Sequence, residues 1–375
     1  MAQAFTPGLK VTQETIIKKK RILPLKGEVL VKEGDKVSYD QVVAKTDLPG
    51  NVIPINIANH LGVAANEVRE CMLKKEGEKV EKGEKIALYT SFFGLFKNYS
   101  VSPITGTIEN ISDVTGQVLL REPPIPIEVR AYIDGIVTEI YPQEGCQVET
   151  MGAFIQGIFG LSGERSGEIA VVADSPKTEL TADMIKPEHK GKILVGGSLI
   201  RLNAIKKAQQ AGVSAVVVGG VDDKDLRALL GHDIGVAITG HEKIGFTLIA
   251  TEGFGEMYMA QRTFELLKAN EGKWASVNGA TQIRAGVMRP EIIIPVDKSF
   301  DKNAAPDEEG RGLLVGDPIR IIREPLFGEL GTITEMVPEL HKMESETMVR
   351  VFRVKLSNGE ERIVPRANVE RIEVK

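Results

Sequence analysis

Two histidine–acid pairs and two polar loops hold the residues of this chain whose types could do chemistry. His232-Asp233 and His241-Glu242 each set an imidazole beside a carboxylate, the raw material of general acid–base catalysis. Sequence neighbours point in different directions, however, and no nucleophile at a recognisable elbow accompanies them, so both read as solvated loop histidines. Gly196-Gly197-Ser198 ends a short apolar run and opens an amphipathic segment with Arg201 in its first turn. A helix start with unpaired N–H groups beside a guanidinium suits a phosphate or another small anion. No Gly-x-Gly-x-x-Gly and no Gly-Lys-Ser/Thr occurs there, so neither the dinucleotide nor the P-loop fingerprint is met. In the polar stretch Asn278 to Gly286, Thr281, Gln282 and Arg284 add a hydroxyl, an amide and a guanidinium. Gly196, Gly197, Ser198, Arg201, Thr281, Gln282 and Arg284 are thus the candidate anion-binding set. The competing reading is that the glycines only allow sharp turns and close helix packing.

Positioning such a set requires a layered α/β unit, and the stretch Gly191 to Gly220 reads as one. Ile193 to Val195 predicts a strand, Ser198 caps a helix that stops at Gly212, and Val216 to Val218 predicts the next strand. A connection of this length suits a crossover between parallel strands. The pattern continues through a helix capped by Asp222 and ending at Gly231, with strands at Ile234 to Ile238 and Phe246 to Ala250. A helix from Met257 to Lys268 and a closing strand from Trp274 to Val277 follow. This predicts a small, mostly parallel sheet of four to five strands flanked by helices. At the other two strand-to-helix turns Asp222, Asp223, Glu252 and Glu256 would repel an anion.

Composition bounds the function classes. The 375 residues allow two or three domains, and 52 acidic against 47 basic side chains rule out a whole-molecule electrostatic grip on nucleic acid or membrane. Cys71 and Cys146 stand alone, so neither a disulfide framework nor a metal site is expected. No targeting segment or membrane-spanning run is recognised, and a cytoplasmic protein is expected. The basic cluster Lys18-Lys19-Lys20-Arg21 reads as a solvated strand entry rather than a nucleic-acid arm.

The N-terminal third carries a duplication. Val31 to Thr46 and Lys74 to Thr90 both run Lys-Glu-Gly-acid-Lys-Val into a short apolar strand, and Pro103-Ile104-Thr105-Gly106 with Ile133-Asp134-Gly135 forms a second recurring pattern. These residues resemble the lipoyl/biotinyl-like barrel-sandwich hybrid over roughly residues 21 to 155. Carrier members bear a modified lysine at a hairpin tip. The corresponding tips here, Asp47-Leu48-Pro49-Gly50 and Ser91-Phe92-Phe93-Gly94, have no lysine, and Lys45 lies within the strand. The resemblance therefore implies a non-carrier version, with no biotin, lipoyl or other cofactor. The apolar run Phe92 to Phe96 is expected to be buried.

After a charged linker, Gly316-Asp317, Ile319, Ile321, Pro325 to Gly328 and Gly331 resemble the KOW motif of small SH3-like barrels, with Gly331 at its central turn and Asn358-Gly359 as a hairpin turn. That resemblance implies an RNA, ribosome or RNA polymerase partner, through a face drawn from Arg320, Arg323, Phe327, Arg350, Arg353 and Arg366. Residues 311 to 375 nonetheless hold equal numbers of basic and acidic side chains, where a phosphate-tracking surface should be basic.

The expected architecture is multidomain, α/β plus all-β. It has a beta-rich barrel-sandwich-hybrid-like region over 1–160 with an insertion near 48–72, a central α/β layer domain over 161–296, a linker at 297–311 and an SH3-like barrel over 312–375. Two functions compete: a non-catalytic binding or scaffolding protein, and a small-anion-binding enzyme or enzyme accessory. The first is preferred because no catalytic constellation stands above background.

Overall fold

The computed structural model describes residues 9–91, 96–232, 238–239, 242, 244–282, 288–296, 313–321, 326, 329–338, 340–342, 348–356 and 358–371. The fold is strand-rich and mixed, and among these residues no sheet closes into a barrel. Asp233, His241, Arg284, Arg323, Phe327, the Phe92 to Leu95 tip and the 297–311 linker lie outside the described residues.

One twelve-stranded sheet organises the chain. Its backbone order is Phe159–Leu161, Thr247–Phe254, Ala215–Val221, Ile193–Val195, Glu164–Val171, Trp274–Asn278, Glu291–Pro295, Gly145–Gln156, Gly135–Tyr141 and Lys36–Val37. Strand Val11–Ile22 adds to Gly145–Gln156, and Leu199–Ile200 adds to Ala215–Val221. Four neighbours, Glu164–Val171, Ile193–Val195, Ala215–Val221 and Thr247–Phe254, are mutually parallel, and the rest of the sheet's backbone path is antiparallel. The expected four-to-five-strand sheet is therefore the parallel part of a larger mixed one, which runs without a break across residue 160.

Of the parallel strands, Ile193–Val195 and Ala215–Val221 are buried throughout and Thr247–Phe254 is buried in all but Phe254, as helices on both faces require, whereas Glu164–Val171 is buried only at Gly167 and Ile169. On one face the helices Leu202–Ala211 and Asp223–Leu230 cover Leu194, Val216, Val218 and Leu248 with Ala204, Ile205, Ala208 and Leu226. On the other face the helix Gln261–Ala269 sets Phe264 and Leu267 against Val195, Val217 and Ile249. Asp222 caps its helix as expected, its side chain accepting from the Lys224 amide at 2.8 Å, and Gly231 ends it with φ 76°. The expected strand at Ile234 to Ile238 is described only in Ile238–Thr239, which pairs with Thr281–Gln282.

The duplication appears as one copy nested in the other. Strand Val42–Leu48 pairs with Ile125–Arg130, and the chain between them builds a second unit with its own core of Ile57, Leu61, Val68, Ile86, Ile108, Val118 and Leu120. Inside that unit Lys85–Ser91 pairs with Phe96–Val101 in the same relation. Both copies open on the same turn: the Lys32 amide donates to Asp35 and the Lys75 amide to Glu78, each at 2.8 Å. The interruption expected near 48–72 thus extends to residue 124. Asp47 and Leu48 are not a hairpin tip, since they pair with Pro126 and Ile125 at the mouth of the inserted unit.

The C-terminal residues form a six-stranded sheet around Ile319, Ile333, Phe352, Val354 and Val364. Asn358-Gly359 makes the expected turn between Met348–Leu356 and Glu361–Pro365. Gly331 lies in mid-strand opposite Ile319 and Leu356, not in a turn; a Cβ there would sit 2.5 Å from Val354.

Candidate functional site

In an open parallel sheet, ligands gather beyond the carboxyl ends of the strands. Here that end is filled by the chain itself. A Cβ on Gly197 would lie 2.3 Å from the Ser175 carbonyl oxygen, one on Gly219 2.1 Å from that of Met257, and one on Gly220 2.1 Å from that of Gly255. The segments 174–178 and 253–260 thus close over the strand ends as tightly as backbone can approach backbone.

The amides that would hold an anion are engaged. Gly197 and Ser198 both donate to the Thr178 carbonyl, at 3.1 and 2.9 Å, and Gly219 and Gly220 donate to the carbonyls of Gly197 and Ser198. Ser198 does not cap the helix. Leu199–Ile200 is drawn onto Gly220 and Val221 as a short parallel strand, so the helix starts three residues later than Ser198 predicts, with Arg201 at its N-cap and no side-chain cap. The Arg201 guanidinium pairs with Glu179 at 3.2 Å. Gly196, packed under Leu180 and Val218, completes a structural joint.

Thr281 lies elsewhere, beside Gly160: its buried hydroxyl sits 2.9 Å from the Gly160 amide, and it and Gln282 pair with Thr239 and Ile238. The hydrogen bonds of that hydroxyl run to Gly160 and Gly279, not to the Gly196 to Arg201 turn. His232 is exposed.

A surface cavity of about 350 Å³ opens between the strand-end segment and the helix Gln261–Ala269. Lys177, Lys268, Asp174 and Glu265 line it together with Phe264, so the charge lining it is balanced. Among the described residues no group of three or more His, Cys, Asp or Glu gathers as a metal set.

The basic cluster sits inside strand Val11–Ile22 rather than at its entry, and its charges are largely matched across the large sheet. Lys18 reaches Glu149 at 3.1 Å, Lys19 reaches Glu291 at 2.5 Å, and Arg21 grips Glu164 with two bonds of 2.7 Å. Lys20 lies over the Tyr141 ring. These cations staple the first strand to Gly145–Gln156 and its neighbours, which leaves little charge for a phosphate backbone.

Among the described residues the C-terminal arginines Arg320, Arg353 and Arg366 are each engaged by different partners within the chain. Arg320 is buried and pairs with Glu252 at the end of the parallel sheet, 3.1 Å away. Arg353 pairs with Glu335 at 2.9 Å. Arg366 lies over the Phe352 ring, 4.8 Å from its centroid, and donates to the Val351 and Val337 carbonyls; burial, then the nearby Arg350, pull its guanidinium below the ordinary arginine range. Arg350 is exposed. What sequence reasoning missed is the exposed edge beside it. Strand Leu340–Lys342 ends the sheet, and its pairing with Met348–Leu356 puts Leu340, Met348, Lys342 and Arg350 on one face, with Leu340 and Met348 both more than half exposed. The alternation of Val349 and Val351 around Arg350 was the signal for a strand, but not for its place beside an edge.

Among the described residues no helix is long and apolar enough to cross a membrane. No protein-family model matches this sequence, and no curated protein sequence matches it.

Proposed function

We propose that this chain is a non-catalytic binding or scaffolding protein whose C-terminal module engages a protein component of a ribonucleoprotein or RNA polymerase assembly. In this reading the N-terminal region is a pair of nested non-carrier barrel-sandwich hybrids, the middle is an α/β layer domain, and residues 312–375 are an SH3-like barrel joined through the 297–311 linker. The observation that carries the reading is the division of labour on the C-terminal sheet. Arg320, Arg353 and Arg366 are bound within the chain, whereas the edge strand Leu340–Lys342, paired on one side only among the described residues, lies beside exposed Leu340 and Met348. Such an edge suits an added strand from a protein partner, with apolar side chains filling alternate positions. It suits a phosphate backbone poorly.

The small-anion enzyme is the weaker reading, because the Gly197 and Ser198 amides are already bonded to Thr178.

The test is a photo-crosslinking residue at His341, read by mass spectrometry, alongside RNA binding measured at 50 and 300 mM salt. A polymerase or ribosomal protein adduct that disappears in L340D/M348D supports the proposal. RNA binding that weakens steeply with salt, or no protein adduct, overturns it.

A further inference from the structure

Strand Pro318–Ile321 places Ile319 and Ile321 in the C-terminal core, so alternation turns Arg320 to the outside of its own module. An outward arginine on a tethered, independent module is solvated. Here its side chain is 8% exposed, and Nη1 stands 3.1 Å from Oε2 of Glu252, whose side chain is 3% exposed. Glu252 lies two residues before the end of the parallel strand Thr247–Phe254, and its other oxygen, Oε1, accepts the Ala260 amide at 2.9 Å. The carboxylate is thus held by the backbone of the segment that plugs the strand ends, and its Oε2 faces the arginine.

We propose that Arg320 and Glu252 form a latch that seats the C-terminal module on the carboxyl end of the parallel sheet and makes it one body with the rest of the chain. A desolvated pair contributes little net stability against an apolar substitute, but removing one member takes from the other its buried counter-charge at 3.1 Å and is strongly unfavourable, so its effect is to select one docked orientation. Because both charges are buried, the latch holds at ionic strengths that screen surface pairs. Its consequence is directional. With the Arg320 side of the sheet committed inward, the module meets partners through its other surfaces. The latch stands whether or not the Leu340 edge binds a protein.

The experiment places spin labels at N358C and K206C, both exposed sites, in a chain whose native Cys71 and Cys146 are buried, and reads the distance between them. The parent protein gives a single narrow distance at 0.1 and 0.5 M salt, and R320A and E252A each lose it, while amide protection of Met348–Leu356 is retained. A broad distribution in the parent protein, or a narrow one in E252A, overturns the proposal. E252A decides alone if R320A loses that protection, since it leaves the module's own sequence intact.

Discussion

Gly106 and Gly135 stand at the same step of the two nested copies. Each pairs with the valine of the short strand that follows a Lys-Glu-Gly-acid turn, Gly106 with Val80 and Gly135 with Val37. Each also passes so close to the returning strand that a Cβ would lie 2.2 Å from the Arg121 carbonyl oxygen in one copy and 2.3 Å from that of Glu149 in the other. The duplication therefore preserves a steric requirement as well as a pattern of residues.

Substitution of either glycine by alanine forces a backbone shift, and we expect G106A and G135A each to lose about 3 kcal/mol in urea denaturation. Gly34 is the control. It has φ 90° but open space around its Cβ, so G34A bears only the left-handed penalty of about 1–2 kcal/mol. Equal losses for all three variants would refute the steric account.

What the sequence made legible was local. The Asp222 cap, the Asn358-Gly359 turn and the repeated Lys-Glu-Gly-acid turn each depend on side chains reaching their own backbone within a few residues. The nesting was hidden because the partner of Val42–Leu48 comes only at Ile125–Arg130, and nothing in either strand specifies its mate. Ser198 failed as a cap because tertiary pairing of Leu199 and Ile200 with Gly220 and Val221 outweighed a local helix start. Arg320 shows the same limit from the other side: alternation places it outside its own core, and only the assembled chain reveals that Glu252 waits there.

Tyr132 is strained and buried at once. It has φ 72°, its carbonyl accepts the Ser276 hydroxyl at 2.5 Å, and the Arg21 guanidinium lies 5.3 Å from its ring centroid. Burial first, then the carboxylates of Glu291 and Glu164, hold its hydroxyl well above the usual tyrosine range. That hydroxyl lies near Glu291 yet meets no partner in hydrogen-bond geometry among the described residues. Removing an unsatisfied buried hydroxyl is neutral or favourable. Y132F is therefore expected to keep or gain stability, by up to about 1 kcal/mol, whereas Y132A loses about 3–5 kcal/mol of packing. Thermal and urea unfolding decide it, and a Y132F loss above about 1 kcal/mol would mean that the hydroxyl is bonded to Glu291 after all.

His189 gives the fold a mild acid sensitivity. It closes the short turn Pro187–His189 ahead of strand Ile193–Val195, and its Nδ1 accepts the Lys186 amide at 3.1 Å, which requires that nitrogen to be unprotonated. Burial lowers its pKa from the usual histidine value; Glu188 partly opposes this, and Lys186 and Lys192 add to it. The folded state thus resists protonation more than the unfolded chain does. The sign follows: the histidine causes no loss well above the unfolded value of about 6.5, and stability falls as pH drops through that value toward the lower folded one, below which no further loss accrues. H189Q removes this contribution, so denaturation midpoints at pH 7.5 and 5 should lie closer together in the variant than in the parent. An NMR titration of His189 with a midpoint above 6.5, or an unchanged gap between the midpoints, would show that the turn does not sense the proton.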